Sequence, residues 1–204
     1  MKSMVVPFMQ RLMTRTMILF ALMVALPMAG FGQSGSPQDP TTLMAQQRDA
    51  MTPLAFLNGV WRGPAWIILP SGKQITFTQT ERIGPFLEGS VKVIDGRGYS
   101  SDGKLIFNAF AVLSYDSDQH SYSMRSYAQG RSGDFDFTPS ANGYTWEIPS
   151  GPMTIRYTAH VKDGVLHEVG IRILPSKDSF KFFEMNVRRL GDTDWPNVGA
   201  IGPQ

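Results

Sequence analysis

From Gly59 onward the chain alternates apolar and polar residues with a period of two. The runs are short and rich in Phe, Tyr, Val, Ile and Thr, and turn residues separate them. This pattern predicts strands at about 60–69, 73–83, 86–95, 105–115, 119–128, 133–138, 143–149, 152–161, 164–174 and 179–190. The intervening turns are explicit: "PSG" at 70–72, "IGP" at 83–85, "DGRGYSSDG" at 95–103, "DSDQ" at 116–119, "PSGP" at 149–152 and "PSKDS" at 175–179. Asn142-Gly143 and Asp163-Gly164 are the strongest hairpin signals, because both central residues of such a turn take positive φ. Upstream, Met44, Met51 and Leu54 give partial helical spacing that Pro53 interrupts, so a helix is expected over about 42–50, followed by a turn. Nothing after residue 58 has the period of a long helix.

Ten short strands joined in order describe an antiparallel meander. Left open, such a sheet exposes two long edges and one unburied face, and closure into a barrel removes the edges. The expected fold class is therefore all-β: a single up-and-down barrel of about ten strands with a short N-terminal helix. A two-sheet sandwich is the alternative, disfavoured because consecutive hairpins outnumber candidate long crossovers.

In a barrel, inward and outward positions alternate, so a polar residue in the apolar phase of a strand is expected to point inward. In "QITFTQTERI", Gln79 and Glu81 share a phase with Ile75, Phe77 and Ile83. In "SFKFFEMNVRR", Glu184, Asn186 and Arg188 share a phase with Phe180 and Phe182. Arg125 shares a phase with Tyr127, and Tyr122 and Met124 take the other. One reading places Glu81 and Glu184 inside with Arg125 or Arg156, holding the polar head of a ligand. The ligand's body would contact Phe77, Phe110, Tyr127 and Trp146. The competing reading is an internal polar network that fixes a solid barrel. A paired-carboxylate hydrolase built on Glu81 and Glu184 is a further possibility.

The first 32 residues are of a different kind. Lys2, Arg11 and Arg15 are their only charges, and "MILFALMVALPMA", Met17 to Ala29, carries none. That run is shorter than the ~20 residues of a bilayer span and has the flanks of a secretory leader. The expected organisation is a signal peptide at 1–32, a linker and short helix at 33–53, the barrel at 54–190 and a mobile tail at 191–204. Removing the leader's three basic residues from the chain's 19 leaves 16 against 17 acidic ones, so no basic excess remains to attract nucleic acid. With no cysteine, the chain has neither a lipoprotein anchor nor disulfides, and core burial must supply its stability. The expectation is an exported protein, periplasmic or secreted, with no stable membrane insertion once the leader is cut. P-loop, dinucleotide and Gly-x-Ser-x-Gly motifs are absent.

The segments "LNGVWRG", "TERIGPFLEGSV", "VLSYDSDQHSYSMRSYAQGRSGDF", "GYTWEI", "TIRYTAHVKDGVLHEVG" and "FFEMNVRR" together resemble an uncharacterised bacterial family, domain of unknown function 1579, over roughly 54–190. That family is similar in layout to the calycins: lipocalins, fatty-acid-binding proteins and nitrobindin-like barrels. The resemblance implies a calycin-like barrel and supplies no catalytic residues. Gly59-Val60-Trp61 resembles the lipocalin first-strand motif, in which the tryptophan packs beneath an arginine of the last strand. Arg188 and Arg189 stand where that partner is expected, and together the three residues would close one end. A nitrobindin-like barrel would need a histidine for heme, and His167, in phase with Val165, Val169, Ile171 and Ile173, is the candidate rather than His120 or His160. No spacing of histidines points to zinc.

The function expected from these observations is binding of a small apolar or amphiphilic ligand inside the barrel. The alternatives are an enzyme using interior carboxylates and a solid structural barrel. The leader gives the first testable outcome: N-terminal sequencing of exported protein is expected to begin at Gln33. An intact Met1 or Met13 terminus on exported protein would refute cleavage there.

Overall fold

A computed structural model of the chain describes residues 39–198 and 201–202. The expected leader at 1–32 lies outside the described residues. Helix α1, Pro40–Met51, starts on a proline, whose missing N–H is no loss in a first turn. It runs into a 3-10 turn, Thr52–Leu57, with Pro53 near its start. Ten strands follow: β1 (Gly59–Ile68), β2 (Gln74–Phe86), β3 (Val91–Tyr99), β4 (Leu105–Asp116), β5 (Ser121–Ala128), β6 (Arg131–Ser140), β7 (Gly143–Ser150), β8 (Met153–Lys162), β9 (Val165–Ile173) and β10 (Ser179–Gly191). Each pairs antiparallel with its sequence neighbours, and β1 pairs with β10, so the sheet closes into a ten-stranded barrel. No helix of the described residues is long and apolar enough to cross a membrane.

The expected strands are all present, with two displaced turns: β3 runs through Asp95–Tyr99, so the turn expected at 95–103 begins only at Ser100, and the turn before β3 also moves. "IGP" at 83–85 does not turn the chain: Ile83, Gly84 and Pro85 pair with Ile94, Val93 and Lys92. The turn falls later, at Leu87–Gly89, where three successive residues take positive φ. Gly84 serves another purpose. A Cβ there would lie 3.0 Å from both Thr193 and Trp195, because the C-terminal segment packs over β2. The guanidinium of Arg82 sits 4.5 Å from the Trp195 ring centroid and pairs with Asp194, while Phe86 meets the same indole edge-on at 5.3 Å. The segment after β10 thus packs on β2 as far as Trp195.

The two hairpin signals resolve differently. Asp163 and Gly164 both take positive φ, as their turn requires. At Asn142-Gly143 only Asn142 does. Gly143 already belongs to β7, where a Cβ would come within 2.3 Å of the Ala159 carbonyl oxygen.

The end of the barrel at α1 is plugged. Leu54, Leu57 and Trp61 are fully buried and join Ile83, Leu113, Leu166 and Val187 in one core. The Trp61 indole donates to the Leu57 carbonyl at 3.0 Å, and the Tyr122 hydroxyl donates to the Ala50 carbonyl at 2.7 Å. The expected stacking of an arginine on Trp61 is absent among the described residues, and Arg188 is exposed. Arg189, which pairs with Trp61 across the ladder, instead donates from Nε and Nη2 to the Asn58 carbonyl at 3.2 Å and lies over Gly59. The tryptophan is capped from within by the 3-10 turn, so closure of this end comes from the segment before the barrel.

Leu54→Ala should therefore lower the stability of the whole barrel by about 2–5 kcal/mol, the usual range for truncating a filled core position. Equilibrium denaturant unfolding checks this. A loss under ~0.5 kcal/mol would mean that the plug is not part of the cooperative unit.

Candidate functional site

The interior polar residues lie at mid-barrel, next to the plug's core. Gln79 and Glu81 point inward from β2, as their phase predicts, and are 3% and 8% exposed. Gln79 Nε2 donates to Glu81 Oε1 at 2.6 Å. On neighbouring β3 the position opposite Glu81 is Gly96, and a Cβ there would come within 2.9 Å of the carboxylate. One pair further along, Gly98 opposite Gln79 leaves room for the Phe77 ring in the same way. Glycine on β3 thus makes the space that β2 fills.

Across the interior stands a second carboxyl that the sequence reading missed, Glu168 of β9, also 8% exposed. The Trp146 indole donates to its Oε1 at 3.3 Å. Burial raises the Glu81 carboxyl to a pKa of about 8, partly opposed by the Gln79 hydrogen bond and reinforced by the nearby charges of Glu168 and Asp95. Burial also raises Glu168 to about 7, opposed by Trp146 and the Tyr144 hydroxyl. Neither carboxyl has an ion-pair partner among the described residues. Gln79 Oε1 is buried without any hydrogen-bond partner, an arrangement that costs on the order of 1–3 kcal/mol. Beside Glu168, the Trp146 ring stacks on Tyr157 at 4.4 Å and meets Phe135 at 5.5 Å.

The barrel wall is incomplete next to this cluster. β6 and β7 pair only from Phe137↔Trp146 to Ser140↔Gly143. Beyond that the two strands separate and leave a slot of about 340 Å³, lined by Asp134, Phe135, Asp136, Trp146, Glu147 and Pro149 among others. That volume falls within the ~300–1,000 Å³ typical of small-molecule sites.

Four residues expected inside lie outside. Glu184 faces out because β10 carries a bulge between Lys181 and Phe183, and the extra residue reverses the alternation. Phe182 is buried before the shift; Met185 and Val187 are buried after it, which turns Glu184, Asn186 and Arg188 outward. Glu184 accepts there from Trp66 Nε1 at 3.1 Å and Lys181 Nζ at 3.0 Å, and contacts His167 Nε2 at 2.8 Å, so hydrogen bonds from His167 and Lys181 lower its pKa. Glu81 and Glu184 therefore occupy opposite faces of the wall and cannot flank one bond. Arg125 and Tyr127 point outward because Tyr122 and Met124 take the inner phase of β5; Arg125 pairs with Asp134 of β6. Phe110 also faces out, since Ala111 and Leu113 fill the inner phase of β4. Phe110 and Tyr127, 43% and 47% exposed, do come together, but in an external groove of about 600 Å³ that also includes Arg97, Asn108 and Arg131.

The same hairpin that confirms the Asp163-Gly164 turn corrects β9. A two-residue turn fixes the pairs Ala159↔Glu168 and Tyr157↔Gly170. Tyr157 and Ala159 face inward, so Glu168 does as well, and Val165, His167 and Val169 face out. That register is readable in the sequence and is the signal that could have found Glu168. None of the three histidines faces the interior: His120 is in a turn, and His160 and His167 meet edge to face at 5.1 Å on the outer surface. The residues therefore do not fit a heme held inside the barrel through His167. Among the described residues no three His, Cys, Asp or Glu side chains converge to hold a metal ion.

These features define a closed ten-stranded antiparallel barrel with a plugged end, a buried acidic cluster and a lateral slot. The fold is similar to that of a solved structure, Rv2717c from M. tuberculosis, with a TM-score of 0.53 and 9% identity over 69% of this chain and 96% of that one. At that identity the likeness shows the fold alone. No protein-family model matches the chain, and no curated protein matches it.

The buried acids make stability depend on pH in a definite direction. A carboxyl whose pKa is raised on folding binds more protons folded than unfolded, so its contribution is full below about pH 4.5 and is lost as pH rises through 7 to 8. Glu81→Gln should flatten the decline of unfolding free energy between pH 5 and 8, measured by urea titration at several pH values. Parallel curves for the two proteins would show that Glu81 is not held neutral by the fold.

Proposed function

We propose that the protein is a binding module: a calycin-like barrel for a small, partly apolar molecule. The molecule's polar head meets Gln79, Glu81 and Glu168, and its body lies against the rings of Phe135, Trp146 and Tyr157. The observation that carries this reading is the unpartnered, buried acceptor of Gln79, bonded to one of two buried carboxyls, the other of which is bonded to Trp146 of an aromatic-lined opening in the wall. A network built only to fix a barrel would satisfy its own members, because a half-satisfied buried network costs stability. Convergent polar groups beside an apolar, concave surface are the common form of a small-molecule site.

The resemblance to domain of unknown function 1579 and export of the mature chain belong to the same proposal. They are supported by the residues common to the family and by the charge and length of the leader.

Native mass spectrometry of protein purified from its own host tests the reading. The expected result is a small-molecule adduct that departs when the protein unfolds and is reduced at least tenfold in Gln79→Leu. Recovery of the bare chain mass, with a crystal structure showing side chains filling the barrel and slot, would overturn it.

A further inference from the structure

The interior cluster has a surplus of acceptors. Gln79 Oε1 has no donor, Glu81 receives an N–H from Gln79, and Glu168 receives the Trp146 N–H and the Tyr144 hydroxyl. Cations on the surrounding strands are engaged elsewhere. Arg125 and Arg156 pair with Asp134 and Glu147 on the outer surface. Arg172, two inward positions along β9 from Glu168, lies over the Phe182 ring at 4.6 Å, and Lys92 donates to Asn58 at the plugged end; neither bonds to Glu81 or Glu168. An anionic head placed at Glu81 and Glu168 would therefore meet two carboxyls with no cation bonded to either. A protonated amine brings a positive charge and as many as three N–H donors; seated there it takes the place of the protons that burial holds on the two carboxyls, which leave to solvent.

The slot fits the same chemistry. Phe135 and Trp146 present ring surfaces, and ring faces attract cations. Asp134, Asp136 and Glu147 stand at the rim, and Asp136 has no ion-pair partner among the described residues. Trp146 both lines the slot and donates to Glu168, so it connects the opening to the buried acids. We propose that the slot between β6 and β7 seats a protonated alkyl or aryl amine, its body against Phe135 and Trp146 and its ammonium directed at Glu168 and Glu81. This assignment rests on the reading of the barrel as a small-molecule binder and names the class of ligand.

The test is a titration of the full chain at pH 7 with n-octylamine, n-octanol and n-octanoate, followed by tryptophan emission and calorimetry. Octylamine is expected to bind at least tenfold more tightly than octanol, and octanoate more weakly than either. In Glu81→Gln/Glu168→Gln the amine-to-alcohol ratio should fall to about one. If circular dichroism shows that this pair does not fold, Glu168→Gln alone should lower the ratio at least threefold. Thr145 also lines the slot, and Thr145→Trp, which fills it without replacing Glu81 or Glu168, should weaken octylamine at least tenfold. Octanoate binding as tightly as octylamine would overturn the amine assignment and leave the binding-module reading standing. Octylamine binding unchanged by Thr145→Trp would overturn the slot as its seat. Failure of all three probes to bind would overturn both this inference and the reading beneath it.

Discussion

The ladder between β1 and β10 gives the rest of the structure its meaning. Until those strands pair, the sheet has two faces of equal standing; once they pair, one face becomes an interior. Every strand must then commit alternate residues to a confined, low-dielectric space. Apolar residues gain by that commitment, and ionisable ones are penalised. Glu81 and Glu168 are there because closure puts them there. Burial inside the ring is what raises the proton affinity of both carboxyls.

Closure also explains how the barrel spends its volume. At the end near α1, the 3-10 turn and Trp61 fill the interior as an ordinary core. Further along, glycine replaces side chains on β3, and Glu81 and Phe77 of β2 use the space. A burial penalty accepted at mid-barrel is offset by the packing at the plugged end, the division of labour expected when a stable scaffold carries a costly site.

Much of this was legible in the sequence, and the exceptions have physical causes. Period-two runs and turn residues sufficed for ten strands, because a meander is built from local hairpins. Gln79 and Glu81 could be placed because both neighbours in phase, Phe77 and Ile83, are apolar. Glu184 could not, since a bulge three residues earlier leaves no clear mark in "SFKFFEMN" and reverses everything after it. Glu168 was hidden by its outward neighbours Val165, Val169 and Ile171: aliphatic residues on the outer wall imitated an inward phase. Only the pairing imposed by the Asp163-Gly164 turn separates the two. Phe110 and Tyr127 misled in the same way, being aromatic yet external. Periodicity within one strand says that there are two faces; cross-strand register says which is which.

The brief ladder between β6 and β7 has a consequence for self-association. Strand edges that stop pairing part-way leave backbone donors and acceptors exposed, and such edges invite a strand from another molecule. Here each free edge carries its own deterrent. Asp134 and Asp136 stand on one, Glu147 on the other, and Pro149 withholds an N–H from β7. The same acids and proline that shape the rim thus act as gatekeepers, letting the wall stay partly unzipped without becoming a template for aggregation.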